Sequence, residues 1–365
     1  ALPIFKIFFR VHLARCCNRS EGFWPESEAA KDQEGRILTE IFSMSHQPSV
    51  DKALGFVKEV CERYLPYQQE GRVLCLAATT TTTQEAGYHY EGYTPNGSLG
   101  FGEPYQSLFD FSPSMVTGFR EWLRARYGDI KTLNNAWKSD YSDISDIQPI
   151  KTNYDHPENK RWADWYVYRH TMLKNFLDGV SRTAKAVSSE YKVINDFGSV
   201  HDGLSFRRGT FAFKDLARNT DGTKINDSQY YNHHFSADVL RGSMGADKWI
   251  MNEAFREPTL SQYGMELMLN QHFERGCKLV NIVANSTSDL DWFSPNIKLM
   301  ANSWLKKPMT PIVNVQKMVV KLSELVRTSG YHVPGYMSRW EEKKLDGPVE
   351  IKLIEDLLGE PEVNQ

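Results

Sequence analysis

The feature that most constrains this chain is its alternation of short apolar, β-branched runs with longer amphipathic stretches. "IFKIFFRVHL" (4–13), "RVLCLAATT" (72–80), "KVINDFG" (192–198), "TKINDSQYY" (223–231), "KWIMNEAF" (248–255) and "KLVNIVAN" (278–285) read as strands. The intervening segments read as helices. In "SVDKALGFVKEVCERYL" (49–65), Ser49 or Asp51 is the candidate N-cap, and Leu54, Val57 and Cys61 share one face. "SPSMVTGFREWLRARYG" (112–128) has Ser112 as cap, Pro113 in the first turn and Gly128 at the close. Helices are also predicted over 160–187, 260–277 and, largely, 300–326. Strands separated by helices imply parallel βαβ units, and apolar runs fit a sheet covered on both faces. Six such units point to a (β/α)8 TIM-type barrel, with a doubly wound sheet as the alternative. No low-complexity linker divides the chain, so residues 1–330 are expected to form the barrel domain. Residues 331–365 are then a C-terminal extension or the start of a further domain.

Composition narrows the function. The 365 residues are 41% hydrophobic and 24% charged, with a net charge of −3. Near-neutral charge argues against a nucleic-acid partner, which needs a clustered basic surface. No stretch approaches the roughly 20 apolar residues of a membrane span. Five cysteines make no disulfide framework, and no pair has zinc-knuckle spacing. Nine Trp and seventeen Tyr suit an aromatic-lined cleft, although a large core would use them equally well. The chain opens on Ala1-Leu2-Pro3 and runs at once into an apolar strand, which suggests a processed or trimmed chain. A soluble protein is expected, with the compartment left open between cytoplasm and an exported form that has lost a leader.

The run "LCLAATTTTTQEAGYHYE" (74–91) passes from an apolar strand through five threonines to a carboxylate. Barrel chemistry gathers at the C-terminal ends of the strands, so threonines extending the strand would present Glu85 at that rim. "WIMNEAF" repeats the pattern, ending an apolar strand on Asn252-Glu253. Either glutamate alone could be solvated or form a rim salt bridge. Two amide–acid pairs at separate strand ends suit glycoside hydrolysis, in which one acid protonates the leaving oxygen and one carboxylate meets the anomeric carbon. Trp292 and Trp24 each follow a strand and could stack on a sugar or cap the core. His12 and His89 could line the cleft or pack. His233 and His234 are adjacent and favour a loop or surface role over metal binding.

These segments resemble the family 42 β-galactosidases of the clan A (β/α)8-barrel retaining glycosidases. "FSPSMVTGFREWLRARYGDIKTLNNAWKSDYSDISDIQPI" is similar to the family's helix ending in Arg-Tyr-Gly and its following Leu-Asn-x-Ala-Trp stretch. "VKEVCERYLPYQQEGRVLCLAATTTTTQEAGYH" resembles the approach to the Asn-Glu-Tyr-Gly acid/base motif, which places Glu85 at the acid/base position and Gly87 at the glycine. "RGSMGADKWIMNEAF" resembles the approach to the nucleophile strand, which makes Glu253 the nucleophile. The likeness covers most of residues 50–295. It further implies sugar contacts for Asn195, for Tyr230 or Tyr231, and for the amide before the acid. That amide is Gln84 here, where the clan usually has Asn. Asn252 stands where the family usually has an apolar residue, and the family's cysteine-rich zinc cluster has no counterpart before "FSPSM". Counting back from the acid/base strand, "IFKIFFRVHL" matches the third barrel strand, so the first two are expected to be missing and a homo-oligomer or partner to cover the open edge.

The resulting expectation is a retaining exo-β-glycosidase acting on β-galactosides, with Glu85 as acid/base and Glu253 as nucleophile. Gln84, Asn195, Tyr230, Asn252, Trp292, His12 and Trp24 are the substrate-binding candidates. A carbohydrate is the expected partner, with no cofactor and no metal. A different β-glycosidase such as a β-mannosidase, or a non-catalytic glycan-binding or assembly barrel, are the alternatives.

Overall fold

A computed structural model describes residues 6–14, 24–89, 92–93, 99–100, 107–151, 160–198, 200, 205–226, 232–245, 247–256, 260–277, 279–284, 286–303, 306, 315–321, 345, 347 and 349–354. The chain begins with β1 (Ile7–His12), an antiparallel ribbon of β2 (Ala29–Lys31) and β3 (Ile37–Phe42), helix α1 (Gln47–Gln69) and β4 (Val73–Thr79). A small ribbon of β5 (Gly92–Tyr93) and β6 (Leu99–Gly100) follows. Next come α2 (Pro113–Tyr127), α3 (Ile130–Trp137), α4 (Lys160–Val187) and β7 (Ile194–Asp196). The short α5 (Ser205–Arg208) and α6 (Phe213–Leu216) lead to β8 (Gly222–Ile225), α7 (His233–Met244), β9 (Trp249–Phe255), α8 (Gln262–Glu274), β10 (Leu279–Val283) and α9 (Thr287–Asn302). Strands β11 (Gln316–Lys321) and β12 (Val349–Ile354) form a separate parallel pair.

Among the described residues, six strands run parallel in chain order, β1-β4-β7-β8-β9-β10. β1 pairs with β4, a Leu76–Val193 bridge joins β4 to β7, and β7 through β10 form a continuous ladder. This is the predicted βα repetition, an arc of six strands rather than a closed ring of eight. The strands are apolar because helices cover them from outside. Six of the seven residues of β4 are buried, alternating between the barrel interior and the helix layer. The helix-side core is continuous, joining Val57 and Cys61 of α1, Phe119 and Leu123 of α2, Trp162 and Trp165 of α4, and Phe235 of α7.

Helix boundaries follow local chemistry. Pro113 starts α2 after Ser112, and Gly128 ends it with a φ of 78° that side chains resist. Two expectations need correction. α1 begins at Gln47, ahead of Ser49 and Asp51. His46 is its N-cap and Pro48 sits in its first turn, while the Ser49 hydroxyl bonds the His46 ring at 2.7 Å. The 300–326 segment is not one helix: α9 ends at Asn302, and "QKMVVK" is strand β11. Short apolar runs carry too few turns for their period to separate strand from helix. β11 and β12 also pair across the expected boundary after residue 330. β12 lies on α7, where Gly242 leaves room for the Val349 backbone, and the Gly347 amide donates to Asp238. No described helix is long and apolar enough to cross a membrane.

Candidate functional site

Glu85 stands just past β4, but the threonines do not prolong that strand. β4 stops at Thr79, and the chain folds into a tight loop. The amides of Thr80 and Thr81 both donate to the Glu85 carbonyl, at 2.9 and 3.0 Å, and the Thr81 hydroxyl accepts the Glu85 amide at 3.1 Å. Threonine hydroxyls compete well for local backbone groups, so the five-threonine run makes a laced turn. Gln84 sits at its apex with a φ of 68°. Gly87 is needed beyond it, because a Cβ there would lie 3.0 Å from the Arg208 carbonyl.

The turn buries the Glu85 carboxylate among three groups. The Thr83 hydroxyl donates to Oε2 at 2.9 Å, the Arg208 guanidinium lies 3.3 Å from the same oxygen, and the Asn226 amide donates to Oε1 at 3.1 Å. Glu253 points to the barrel interior from β9. Its Oε2 accepts from Arg10 of β1, from Lys224 of β8 at 2.8 Å and from Asn281 of β10 at 3.2 Å. Asp196 of β7 closes this network, taking Arg10 Nε at 2.6 Å on Oδ2 and Lys224 Nζ at 2.8 Å on Oδ1. Lys224 and Asp196 are fully buried, whereas the Glu253 side chain is 13% exposed. Burial by itself would push the Glu253 carboxyl up. The Lys224 ammonium and the Arg10 guanidinium outweigh it and hold the group below the ordinary glutamate value of 4.5.

The end of β8 and Arg10 link the two glutamates indirectly. Lys224 and Asn226, two residues apart at the end of β8, face the same way; the first holds Glu253 and the second Glu85. Arg10 contacts Glu253 with one nitrogen and lies 3.5 Å from the Gln84 amide oxygen with another. The alternation of strand side chains that aims Lys224, Asp196 and Glu253 inward turns their neighbours outward. Asn252 is buried with its amide 3.2 Å from the His233 ring on α7, and Asn195 donates to the Leu216 carbonyl at 2.9 Å and toward Thr220. Neither faces the glutamates.

The remaining candidates scatter. Trp24 is buried against Phe42, ring centres 4.5 Å apart, so it is a core residue rather than an open stacking platform. His12 lies at the end of β1, its Nδ1 3.0 Å from the Thr79 hydroxyl. His89 is buried edge-on to Phe109. Trp292 is half-buried on α9 beneath the Arg256 guanidinium, and Tyr230 and Tyr231 lie outside the described residues. His233 and His234 start α7 rather than a loop; His234 meets Glu274 at 3.0 Å. Among the described residues, no group of three His, Cys, Asp or Glu could hold a metal ion. The sequence reading missed Arg10, Asp196, Lys224, Asn226, Arg208 and Asn281. The available signal was charge inside strands: a lysine or aspartate in a doubly covered strand must face a partner in the barrel.

The segment carrying the family resemblance lies elsewhere. The Tyr127 hydroxyl of Arg-Tyr-Gly and the Trp137 indole N–H of Leu-Asn-x-Ala-Trp both donate to Asp164 Oδ2 on α4, at 2.6 and 2.8 Å. Arg126 stands 3.4 Å from Oδ1. The motif is a clamp joining α2, α3 and α4.

A β-galactosidase family model, that of glycoside hydrolase family 42, matches residues 103–261, a span containing this clamp and Glu253. No curated protein sequence matches the chain. Among solved structures, a β-galactosidase from the psychrophilic Marinomonas ef1 shares 14% identity at a TM-score of 0.62, over 90% of this chain and 57% of its own. The catalytic domain of a β-amylase from Paenibacillus polymyxa shares 14% at a TM-score of 0.64, over 83% of both chains. An exo-carrageenase of family 42 from Bacteroides ovatus shares 10% at a TM-score of 0.61, over 96% of this chain and 56% of its own. The fold is thus the TIM-barrel fold that these enzymes share. Residues 103–261 are similar to the family 42 β-galactosidases, and the chain spans little more than half the length of the β-galactosidase and the carrageenase just named.

Proposed function

We propose that this chain is the barrel of a retaining exo-β-glycosidase that cleaves terminal β-linked sugars, with β-galactosides as its substrates. The observation that supports this best is the link between the two carboxylates through β8, where Lys224 holds Glu253 and Asn226 holds Glu85, at the C-terminal end of a parallel barrel sheet. Glu253, kept ionised by two cations, is the nucleophile: it attacks the anomeric carbon as the glycosidic bond breaks. Glu85 gives its proton to the departing oxygen, then takes one from the water that hydrolyses the glycosyl-enzyme. Of the expected sugar contacts, Gln84 keeps that role through its place beside Glu85, and Trp292 keeps it as a half-buried ring on α9.

One observation favours a second reading, a non-catalytic glycan-binding barrel. Both oxygens of Glu85 are already held, Oε1 by Asn226 and Oε2 by Thr83 and Arg208, as in a carboxylate that serves structure rather than proton transfer. Turnover separates the two. On a panel of nitrophenyl β-glycosides, the glycosidase reading expects release from the galactoside, its loss in Glu253→Ala, and azide rescue of Glu85→Ala on dinitrophenyl substrates as a β-glycosyl azide. Sugar affinity with no release from any member would leave the binding reading standing instead.

A further inference from the structure

We propose that Lys224 is the positioning residue of Glu253: it ties down one carboxylate oxygen and leaves the other to the substrate. The proposal rests on reading Glu253 as the nucleophile. Among the described residues, every donor that reaches Glu253, from Lys224, Arg10 and Asn281, ends on Oε2, and none reaches Oε1. A carboxylate held in this way has one oxygen fixed and the lone pairs of the other available.

The sheet register explains how. Asn281 is the register partner of Glu253 and approaches from the side. Lys224 pairs instead with Met251, two residues earlier on β9, and so rises from the layer below. Asp196, the register partner of Lys224, sits behind the ammonium and supplies its second carboxylate. The charged groups facing Glu253 are therefore Arg10 from β1, Asp196 from β7 and Lys224 from β8. β10 adds the neutral Asn281, and Gln84 lies on the far side of Arg10. Of the two cations, only Lys224 is wholly cut off from water. An ion network of this kind is poor value as a stabiliser, since apolar replacements of such networks are often as stable. Its use here is to keep one carboxylate charged and aimed.

The test is a ¹³C titration of glutamate-labelled protein, with Glu253 assigned as the carboxyl resonance lost in Glu253→Gln. In the wild type it should titrate below ordinary glutamates. In Lys224→Met it should move up by about one to three pH units, as expected for losing a cation in contact. Lys224→Arg should keep the low value. Lys224→Gln retains a donor without charge and carries the same expectation if the methionine variant does not fold. The acid limb of kcat/KM for a dinitrophenyl β-galactoside should shift by the same amount, with kcat falling more than KM changes. An unmoved Glu253 titration in a folded, uncharged Lys224 variant overturns the proposal. If the wild type turns over no glycoside, the glycosidase reading fails while the titration still decides the role of the lysine.

Discussion

Asp164 and Glu253 are both carboxylates held inside this protein, the first by two donors and a more distant cation, the second by three donors. At Asp164 the close donors are neutral, a phenol and an indole, and the one cation, Arg126, stands 3.4 Å off while its guanidinium stacks over Trp122. Burial prevails there and pushes the carboxyl of Asp164 up, against the pull of Tyr127 and Trp137. At Glu253 two of the three donors are cations, and they prevail over burial. Neutral donors satisfy hydrogen bonds without replacing the solvation of a charge, whereas paired cations do both. The first arrangement suits a joint between helices. The second suits a carboxylate that must be ionised to act.

The comparison breaks most sharply under exchange of damage. Glu253→Ala should reduce turnover to background, and it should also lower the denaturation midpoint at neutral pH, because the buried Lys224 and Arg10 are left to share Asp196 alone. Asp164→Leu should lose stability and keep its activity. It orphans the Tyr127 hydroxyl and the Trp137 N–H, each about 1–3 kcal/mol when left buried and unbonded, while kcat/KM per folded molecule stays within a few-fold. Urea unfolding and glycoside kinetics on the same preparations decide it. A stable but inactive Asp164→Leu would mean the clamp reaches the site.

A smaller effect separates the two carboxylates by pH. The folded value of Glu253 lies below its unfolded one, so its contribution to stability is present above about pH 4.5 and is lost as pH falls through the folded value. Asp164 is the opposite case: its folded value is raised, so its favourable contribution exists below the ordinary 3.8 and disappears as pH rises through the folded value. Glu253→Gln should therefore flatten the acid side of a stability–pH curve. Asp164→Asn, whose side-chain oxygen can still accept both neutral donors, should be more stable than the wild type at neutral pH. Equal slopes in the two variants would show that both sites hold charge alike.

What the sequence disclosed follows from how local each signal is. The βα alternation, the bounds of α2 between Pro113 and Gly128, and the two strand-end glutamates depend on neighbouring residues and could be read directly. The partners of Glu253 could not, because Arg10, Asp196 and Lys224 lie on strands separated by up to about 240 positions and meet only when the sheet curls. The same alternation that made the strands recognisable hid their facing. Asn252 and Asn195 sit one residue from Glu253 and Asp196, and that single step turns them to the helix layer. The threonine run misled for a related reason: high strand propensity says nothing about hydroxyls that can lace a turn. The most specific part of the family resemblance lay in the clamp, where aromatic donors must hold one spacing around Asp164.

The finest distinction lies beside Glu85, and Gln84→Asn tests it. Gln84 has left-handed backbone at a φ of 68°, and a side chain with a Cβ resists that region by roughly 1–2 kcal/mol. Asparagine enters it more readily, because its short amide can bond the local backbone. The exchange forfeits little, since the Arg10 contact to the Gln84 amide is 3.5 Å, at the limit of a hydrogen bond. Stability should rise by about 0.5 kcal/mol, part of the left-handed penalty. Asparagine is also the residue that the clan resemblance puts before the acid, where its amide meets the sugar 2-hydroxyl. If that contact operates here, Gln84→Asn should increase the preference for a β-galactoside over its 2-deoxy analogue several-fold, with the gain in kcat/KM rather than in KM alone. A variant that is more stable but discriminates no better would assign Gln84 to the turn and remove it from the sugar site.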